Sequence, residues 1–223
     1  MDASKNSLNK RLTILLASGN RHKVEEIQAF FQASGLDLTV LPATHLDGLE
    51  EHAPTFLGNA EIKAQFVQAE AHAKQATFTL GDDSGFIVEA LAGHQGLADF
   101  PGVWSNRWLE GEPPHADRCK GIYDLLGETL QRQARFVCAM SLIEVATGEV
   151  FSVEGVCPLW IRSDGALVGS SGFGYDPMVH YVDEQGKVSP HTMAELSMAE
   201  KTAISHRGRA LNQLRAYLDD FNR

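Results

Sequence analysis

Cysteine is scarce in this chain of 223 residues: three, at positions 119, 138 and 157, with no Cys-x-x-Cys pair. So odd and scattered a set argues against a disulfide framework and against a structural zinc site. It fits a reducing compartment, and a cytoplasmic location is expected. Basic charge is also short, with 19 Lys and Arg against 29 Asp and Glu and a formal net charge of −10. Nucleic-acid binders normally show the opposite balance, so no nucleic-acid partner is expected. No apolar run approaches the roughly 18 residues of a membrane span, so no membrane role is expected either. Internal repeats, low-complexity tracts and a Gly-x-x-x-x-Gly-Lys-[Ser/Thr] phosphate loop are all missing. Residues 1–11 are polar and lack the apolar region of a signal peptide. Residues 1–10 are expected to be a flexible N-terminal tail, and residues 11–223 a single domain.

What is present is globular. Hydrophobic residues make up 43% and charged residues 22% of the chain, which is the balance of a packed domain. At this size roughly 70% of the open chain's surface can be buried, enough for one solid core. A strand over 12–17, a helix over 21–32 and a strand over 36–41 open the chain as an α/β unit. One long helix is expected over 55–75, then a strand over 77–80. The Gly81-Asp82-Asp83-Ser84-Gly85 segment reads as a turn, with a further strand over 86–91. A helix over 115–130 precedes two β-rich runs, 135–145 and 150–161, joined by a hairpin signal at Ala146-Thr147-Gly148-Glu149. Residues 163–177 read as a Gly-rich loop. The last helix, over 197–221, opens on the capping-box spacing of Ser197 and Glu200. A parallel opening followed by a hairpin indicates a mixed sheet.

Three groups of residues carry chemistry. The first is Ser18-Gly19-Asn20 ahead of a helix bearing Lys23. Free N–H groups at a helix start and a lysine in its first turn suit an anion, although the same residues also make an ordinary capped helix. Asn59 and Lys63 share one face of the second helix, and the apolar neighbours of Lys63 favour its pointing into a cleft. The second group is acidic. Adjacent strand residues point to opposite sides, so at most one of Asp82 and Asp83 faces a given site. That carboxylate, with Glu50 or Glu51 from the preceding loop, is the donor set that Mg²⁺ takes beside phosphates; alternatively, both pairs serve only a turn and a solvated loop. The third group is Gly172-Phe173-Gly174-Tyr175-Asp176-Pro177, two aromatics among glycines, which suits a purine or a turn over core aromatics. The last helix adds Lys201, Ser205, His206, Arg207 and Arg209. These are donors for a purine keto oxygen, and they would meet an adenine amino group with a mismatch.

In this order the segments resemble the inosine/xanthosine triphosphate pyrophosphatases, enzymes of non-standard purine nucleoside triphosphates. The matching residues are Ser18-Gly19-Asn20-x-x-Lys23, Glu50-Glu51, Thr55-Phe56-x-x-Asn59-Ala60-x-x-Lys63-Ala64, Asp82-Asp83-Ser84-Gly85, Gly172–Pro177, Thr192-x-Ala194-Glu195 and Ser205-His206-Arg207. The resemblance runs from about residue 12 to about residue 218. It implies an elongated, two-lobed α/β fold around a long mixed β-sheet with flanking helices and an active site in the cleft. It implies Mg²⁺-dependent hydrolysis of ITP, dITP and XTP to monophosphate and pyrophosphate, in a homodimer. Carried over by position, Ser18, Gly19, Asn20, Arg21, His22 and Lys23 would bind the triphosphate. Glu50 and Asp83 would hold the metal, with Glu50 favoured over Glu51 by alignment on Thr55-Phe56. Asp83 would accept the proton, Lys63 would share the phosphate charge, and Ser84 would contact substrate. Phe173, Gly174, Tyr175 and Asp176 would seat the base, and Lys201, His206 and Arg207 would select its keto edge. Trp104-Ser105-Asn106-Arg107-Trp108 departs from a family pattern of Tyr, Ser, Ala and Arg, and the segment before it is longer than usual. A related pyrophosphatase of different base preference and a non-hydrolysing nucleotide sensor are the competing readings.

Overall fold

The computed structural model describes residues 11–111, 113–170 and 174–222. The expected tail, residues 1–10, lies outside them. Strand β1 (Leu12–Leu16) is apolar but for the half-buried Thr13 and otherwise buried, the pattern of a parallel strand covered on both faces. It pairs in parallel with β2 (Leu38–Pro42) on one side and with β3 (Phe78–Val88) on the other. Helix α1 (Arg21–Ala33) makes the β1-to-β2 crossover. Beyond β3 the sheet is antiparallel: β5 (Gln133–Glu144), β6 (Val150–Ile161), β7 (Val179–Val182) and β8 (Val188–Thr192) follow in order. A two-residue strand, β4 (Pro101–Gly102), pairs with the far end of β3. The result is one eight-stranded mixed sheet.

Helices flank it. On one face, Ile27 and Phe31 of α1 and Leu211, Leu214 and Leu218 of α6 (His206–Phe221) pack on Leu12, Ile14, Leu80 and Met140. Further along the same strands, α4 (His115–Leu126) covers Phe86, Val88, Phe136 and Leu159 through Cys119 and Ile122. On the other face lies α2 (Phe56–Phe66), whose Phe56 and Ala60 meet Ile87, Val137 and Ala139. Among the described residues no helix is long and apolar enough to cross a membrane.

Three expected elements differ. The helix over 55–75 is two, α2 and α3 (Gln68–Ala73). Val67 leaves helical geometry at φ −93°, ψ 7°, and this bend lets Val67 and Ala71 share a core with Leu15. The final helix is likewise two, α5 (Met198–Ile204) and α6. Ser205 is extended between them, and its Oγ accepts from Gly208 N at 3.0 Å, a fresh N-cap for α6. The capping box at Ser197 and Glu200 is formed. Most consequential, residues 81–85 are no turn: β3 runs unbroken and pairs with β5 at every residue from Phe78 to Val88. Gly81 is there for close approach, since a Cβ would lie 1.9 Å from the Ala60 carbonyl oxygen of α2. The β7–β8 hairpin has no counterpart in the expected elements.

Candidate active site

The sheet carries a gap. Strand β1 pairs with β3 as far as Leu80, and β4 joins β3 only at Phe86. Between these points the β3 edge turned away from β5 has no strand partner among the described residues. The loop leaving β1, the start of α6 and the buried face of α2 all converge there. Carboxyl ends of parallel strands are where such folds bind ligands. Asp82 and Asp83 lie in this stretch and point to opposite faces of the sheet.

On the first face, Lys23 Nζ donates to both Asp82 oxygens, at 3.1 and 2.9 Å. Arg207 Nη2 lies 3.7 Å from Asp82 Oδ2 and donates to Ser84 Oγ at 3.4 Å, while its Nη1 pairs with Glu26 Oε2 at 3.2 Å. Burial pushes the Asp82 carboxyl up, but Lys23 and Arg207 outweigh it and hold it well below the usual carboxylate range. Lys23 reaches this point because α1 begins right after the exposed Gly19 and Asn20, with Ser18 Oγ accepting from Asn20 N at 3.1 Å. Arg21 instead pairs with Glu25 on the helix exterior. The side chain of His22 lies outside the described residues.

On the second face, Asn59 and Lys63 of α2 converge on Asp83. Asn59 Nδ2 donates to Asp83 Oδ2 at 3.1 Å, and Lys63 Nζ donates to Asp83 Oδ1 at 3.2 Å and to the Asp82 carbonyl at 3.0 Å. The same ammonium lies 2.8 Å from Glu51 Oε1. Burial pushes the Asp83 carboxyl above its ordinary range and Glu51 adds to this, against the pull of Lys63. Burial disfavours the charged Lys63, yet Asp83 and Glu51 more than offset it and keep the ammonium protonated. Glu50, the carboxylate expected to hold the metal with Asp83, is exposed and makes no ion pair among the described residues. Glu51, one residue on, turns back toward Lys63, so it is the acidic neighbour of Asp83.

Asp83, Glu51 and Ser84 open on a polar cavity of about 350 Å³, lined also by Ser105, Arg107 and Arg118 among others. Arg107 Nη2 donates to the Glu51 carbonyl at 3.3 Å, with its guanidinium 4.7 Å from the Trp104 ring centre. Arg118 is buried on α4 and donates to the Pro113 carbonyl at 2.8 Å. Neither arginine was among the residues expected at the site. Arg118 carries no motif, and only its burial beside the cavity marks it.

Phe173 lies outside the described residues. Tyr175 is buried, stacks on Phe86 with ring centres 4.5 Å apart, donates to the Ser105 carbonyl at 2.7 Å and accepts from Trp108 Nε1 at 2.9 Å. It is a strut that ties the loop of residues 174–178 to the cavity wall. Gly174 adopts φ 67°. Asp176 is buried and forms an ion pair with Lys201. The His206 ring leans on Phe136 with centres 5.1 Å apart, and its buried Nδ1 has no partner among the described residues. Burial first, then Arg207 and Lys201, push the imidazole well below its usual range, so it is neutral at neutral pH. A chain of net charge −10 thus sets Lys23, Arg207 and Lys63 against Asp82 and Asp83 at one gap in the sheet, an arrangement for a polyanion.

Comparison with known proteins agrees. The sequence model of the Ham1 family matches residues 14–217. The dITP/XTP pyrophosphatase of Shigella flexneri is 39% identical over 210 residues, covering 90% of this chain and 95% of the relative. That of Corynebacterium diphtheriae is 35% identical over 213 residues, covering 91% and 95%. Among solved structures, a HAM1 protein from Coxiella burnetii superposes with a TM-score of 0.78 at 32% identity, covering 94% of this chain and 99% of that one. The Staphylococcus aureus Ham1 protein gives 0.74 at 32% identity, covering 93% and 98%.

Proposed function

Because this chain belongs to the Ham1 family, we propose that it hydrolyses non-standard purine nucleoside triphosphates (ITP, dITP and XTP) to the monophosphate and pyrophosphate. The observation that carries the reading is the Asp83 carboxylate. It is buried, raised in proton affinity, held by Asn59 and Lys63, and open to a cavity beside a cluster of cations. The relatives named dITP/XTP pyrophosphatases supply the substrate class.

Water attacks the α-phosphorus. Asp83 takes the proton from that water as the new P–O bond forms, a role its raised affinity favours. The bond from the α-phosphorus to the bridging oxygen breaks, and pyrophosphate leaves with the electron pair. Lys63 and Lys23 stabilise the charge that develops on the phosphate oxygens. The backbone at Ser18, Gly19 and Asn20 orients the polyphosphate at the start of α1. Lys201, the neutral His206 and Arg207 present donors to the purine edge. These donate to a keto oxygen and reject an amino group, because a desolvated donor-to-donor mismatch is costly.

Asp83 and Glu51 suit a divalent cation of the Mg²⁺ type: two hard oxygen donors on an open polar cavity, where phosphate and water complete the shell. When bound, the ion supplies charge neutralisation and alignment of the phosphate oxygens. The same reading takes the chain as a single cytoplasmic domain that forms a homodimer.

The test is a product assay with ITP, XTP, GTP, ATP and dTTP, with Mg²⁺ and with chelator. Monophosphate and pyrophosphate from ITP and XTP, lost in chelator, is the expected result. Diphosphate and phosphate would move the scissile bond. Turnover mainly of dTTP would reassign the base preference, and ITP binding without turnover would make the protein a sensor.

A further inference from the structure

Asp82 is adjacent to the reactive carboxylate yet turned away from it, and the mechanism above gives it no task. It is 1% exposed and surrounded by cations. An arginine that reads a base edge must have its planar fork fixed before the base arrives, since its donors lie in a rigid geometry. Arg207 is fixed in this way. Glu26 of α1 takes Nη1 at 3.2 Å, while Ser84 Oγ at 3.4 Å and Asp82 Oδ2 at 3.7 Å face Nη2. The same Asp82 carboxylate takes Lys23 through both of its oxygens. One buried charge therefore orients the residue at the purine edge and restrains the residue at the phosphates.

We propose that Asp82 and Glu26 are the specificity-determining positioning residues of this enzyme, cradling Arg207 for the purine edge while Asp82 restrains Lys23. This rests on the pyrophosphatase reading and deepens it. Neither carboxylate touches substrate. Asp82 lowers the free positive charge available to phosphates, so its removal separates two properties that general damage to the site would lower together. Without it Lys23 is released to any phosphate, and Arg207 loses one side of its cradle.

The test compares Asp82→Asn and Glu26→Gln with the wild type. Steady-state kcat/KM is measured for ITP and ATP, and calorimetry gives affinities for inosine monophosphate, adenosine monophosphate and inorganic pyrophosphate. In Asp82→Asn the preference for ITP over ATP is expected to fall about tenfold or more, the range a lost polar discrimination commands. Pyrophosphate is expected to bind as tightly as before or more tightly. In Glu26→Gln, a change at a partly exposed side chain on α1, the preference falls in the same direction with pyrophosphate affinity unchanged. A folded Asp82→Asn protein that keeps the wild-type preference overturns the proposal. So does a proportional loss for both nucleotides and pyrophosphate. Should Asp82→Asn not fold, an unchanged preference in Glu26→Gln overturns it equally. Absence of any turnover in the wild type would sink the pyrophosphatase reading instead, and the inosine-to-adenosine affinity ratio would still decide on Asp82 and Glu26.

Discussion

Asp82 and Asp83 are chemical neighbours with opposite titration behaviour, because each meets a different set of side chains across the strand. Asp83→Asn is expected to lower kcat for ITP by about a hundredfold or more, the range of a lost proton acceptor, while circular dichroism and melting stay near wild type. Glu51 and Glu50 separate in the same way. Glu51→Gln is expected to cost about a hundredfold in kcat/KM for ITP, and Glu50→Gln only a few-fold; parallel kinetics on the two variants decide which carboxylate serves. Away from the site, Glu70 accepts from Thr44 N at 2.9 Å and Thr44 Oγ1 at 2.8 Å and pairs with Lys74 at 2.7 Å. Burial pushes its carboxyl up, but these partners outweigh it and hold it down to about 2, against an ordinary 4.5. A carboxyl lowered on folding stabilises the fold above its unfolded value and loses that contribution as the pH falls through its folded one. Glu70→Gln is therefore expected to be less stable than wild type above pH 4.5, with the two denaturation midpoints converging as the pH falls toward 2.

At the scale of elements, the closest packing is between backbones. A Cβ on Gly81 would sit 1.9 Å from the Ala60 carbonyl oxygen of α2, and one on Gly155 would sit 2.0 Å from the His206 carbonyl oxygen of α6. Neither neighbour is a flexible side chain, so relief requires moving a helix. Gly81→Ala is expected to cost about 3 kcal/mol or more and to lower the Tm by roughly 10 °C, measured by calorimetry. Apolar spacing made β1, α1, β5 and β6 legible from sequence, because each buries a continuous or periodic face. The run of Gly, Asp, Asp, Ser and Gly was read as a turn since all five residue types favour turns locally. Eleven residues of ladder with β5 and the close seat of α2 override that preference. The two helix breaks were hidden for a related reason. Val67 and Ser205 are unremarkable in a helical pattern, and their backbone angles answer to tertiary packing.

At the scale of the molecule, motif order disclosed which segments meet, since Lys23, Lys63, Asp83 and Arg207 are brought to one gap in one sheet. Orientation was not disclosed. That Tyr175 is a strut, that Glu51 and not Glu50 turns inward, and that Arg118 lines the cavity follow from contacts between segments far apart in the chain. The sheet also joins the two large clusters of core residues: β5 gives Met140 and Leu142 to one, and Ala134 and Phe136 to the other. Neither cluster is closed without that strand. Thermal unfolding is therefore expected to be a single transition with matching calorimetric and van't Hoff enthalpies; two resolved transitions would split the chain into separate domains.

The gap in the sheet has a consequence for how copies of this chain behave toward each other. An unpaired strand edge is ordinarily a template for adding a foreign strand, and proteins blunt such edges to stay dispersed. Here the open stretch of β3 lies in mid-strand, closed off by β1 at one end and β4 at the other, with Lys63 donating to its Asp82 carbonyl. An incoming strand would find no run long enough to zip, and would have to displace an ammonium ion. The outermost strands are protected by simpler means, with Pro42 ending β2 and Pro190 inside β8. The chain can leave backbone bare where a small anion must reach it, without offering that backbone to another polypeptide and so to aggregation.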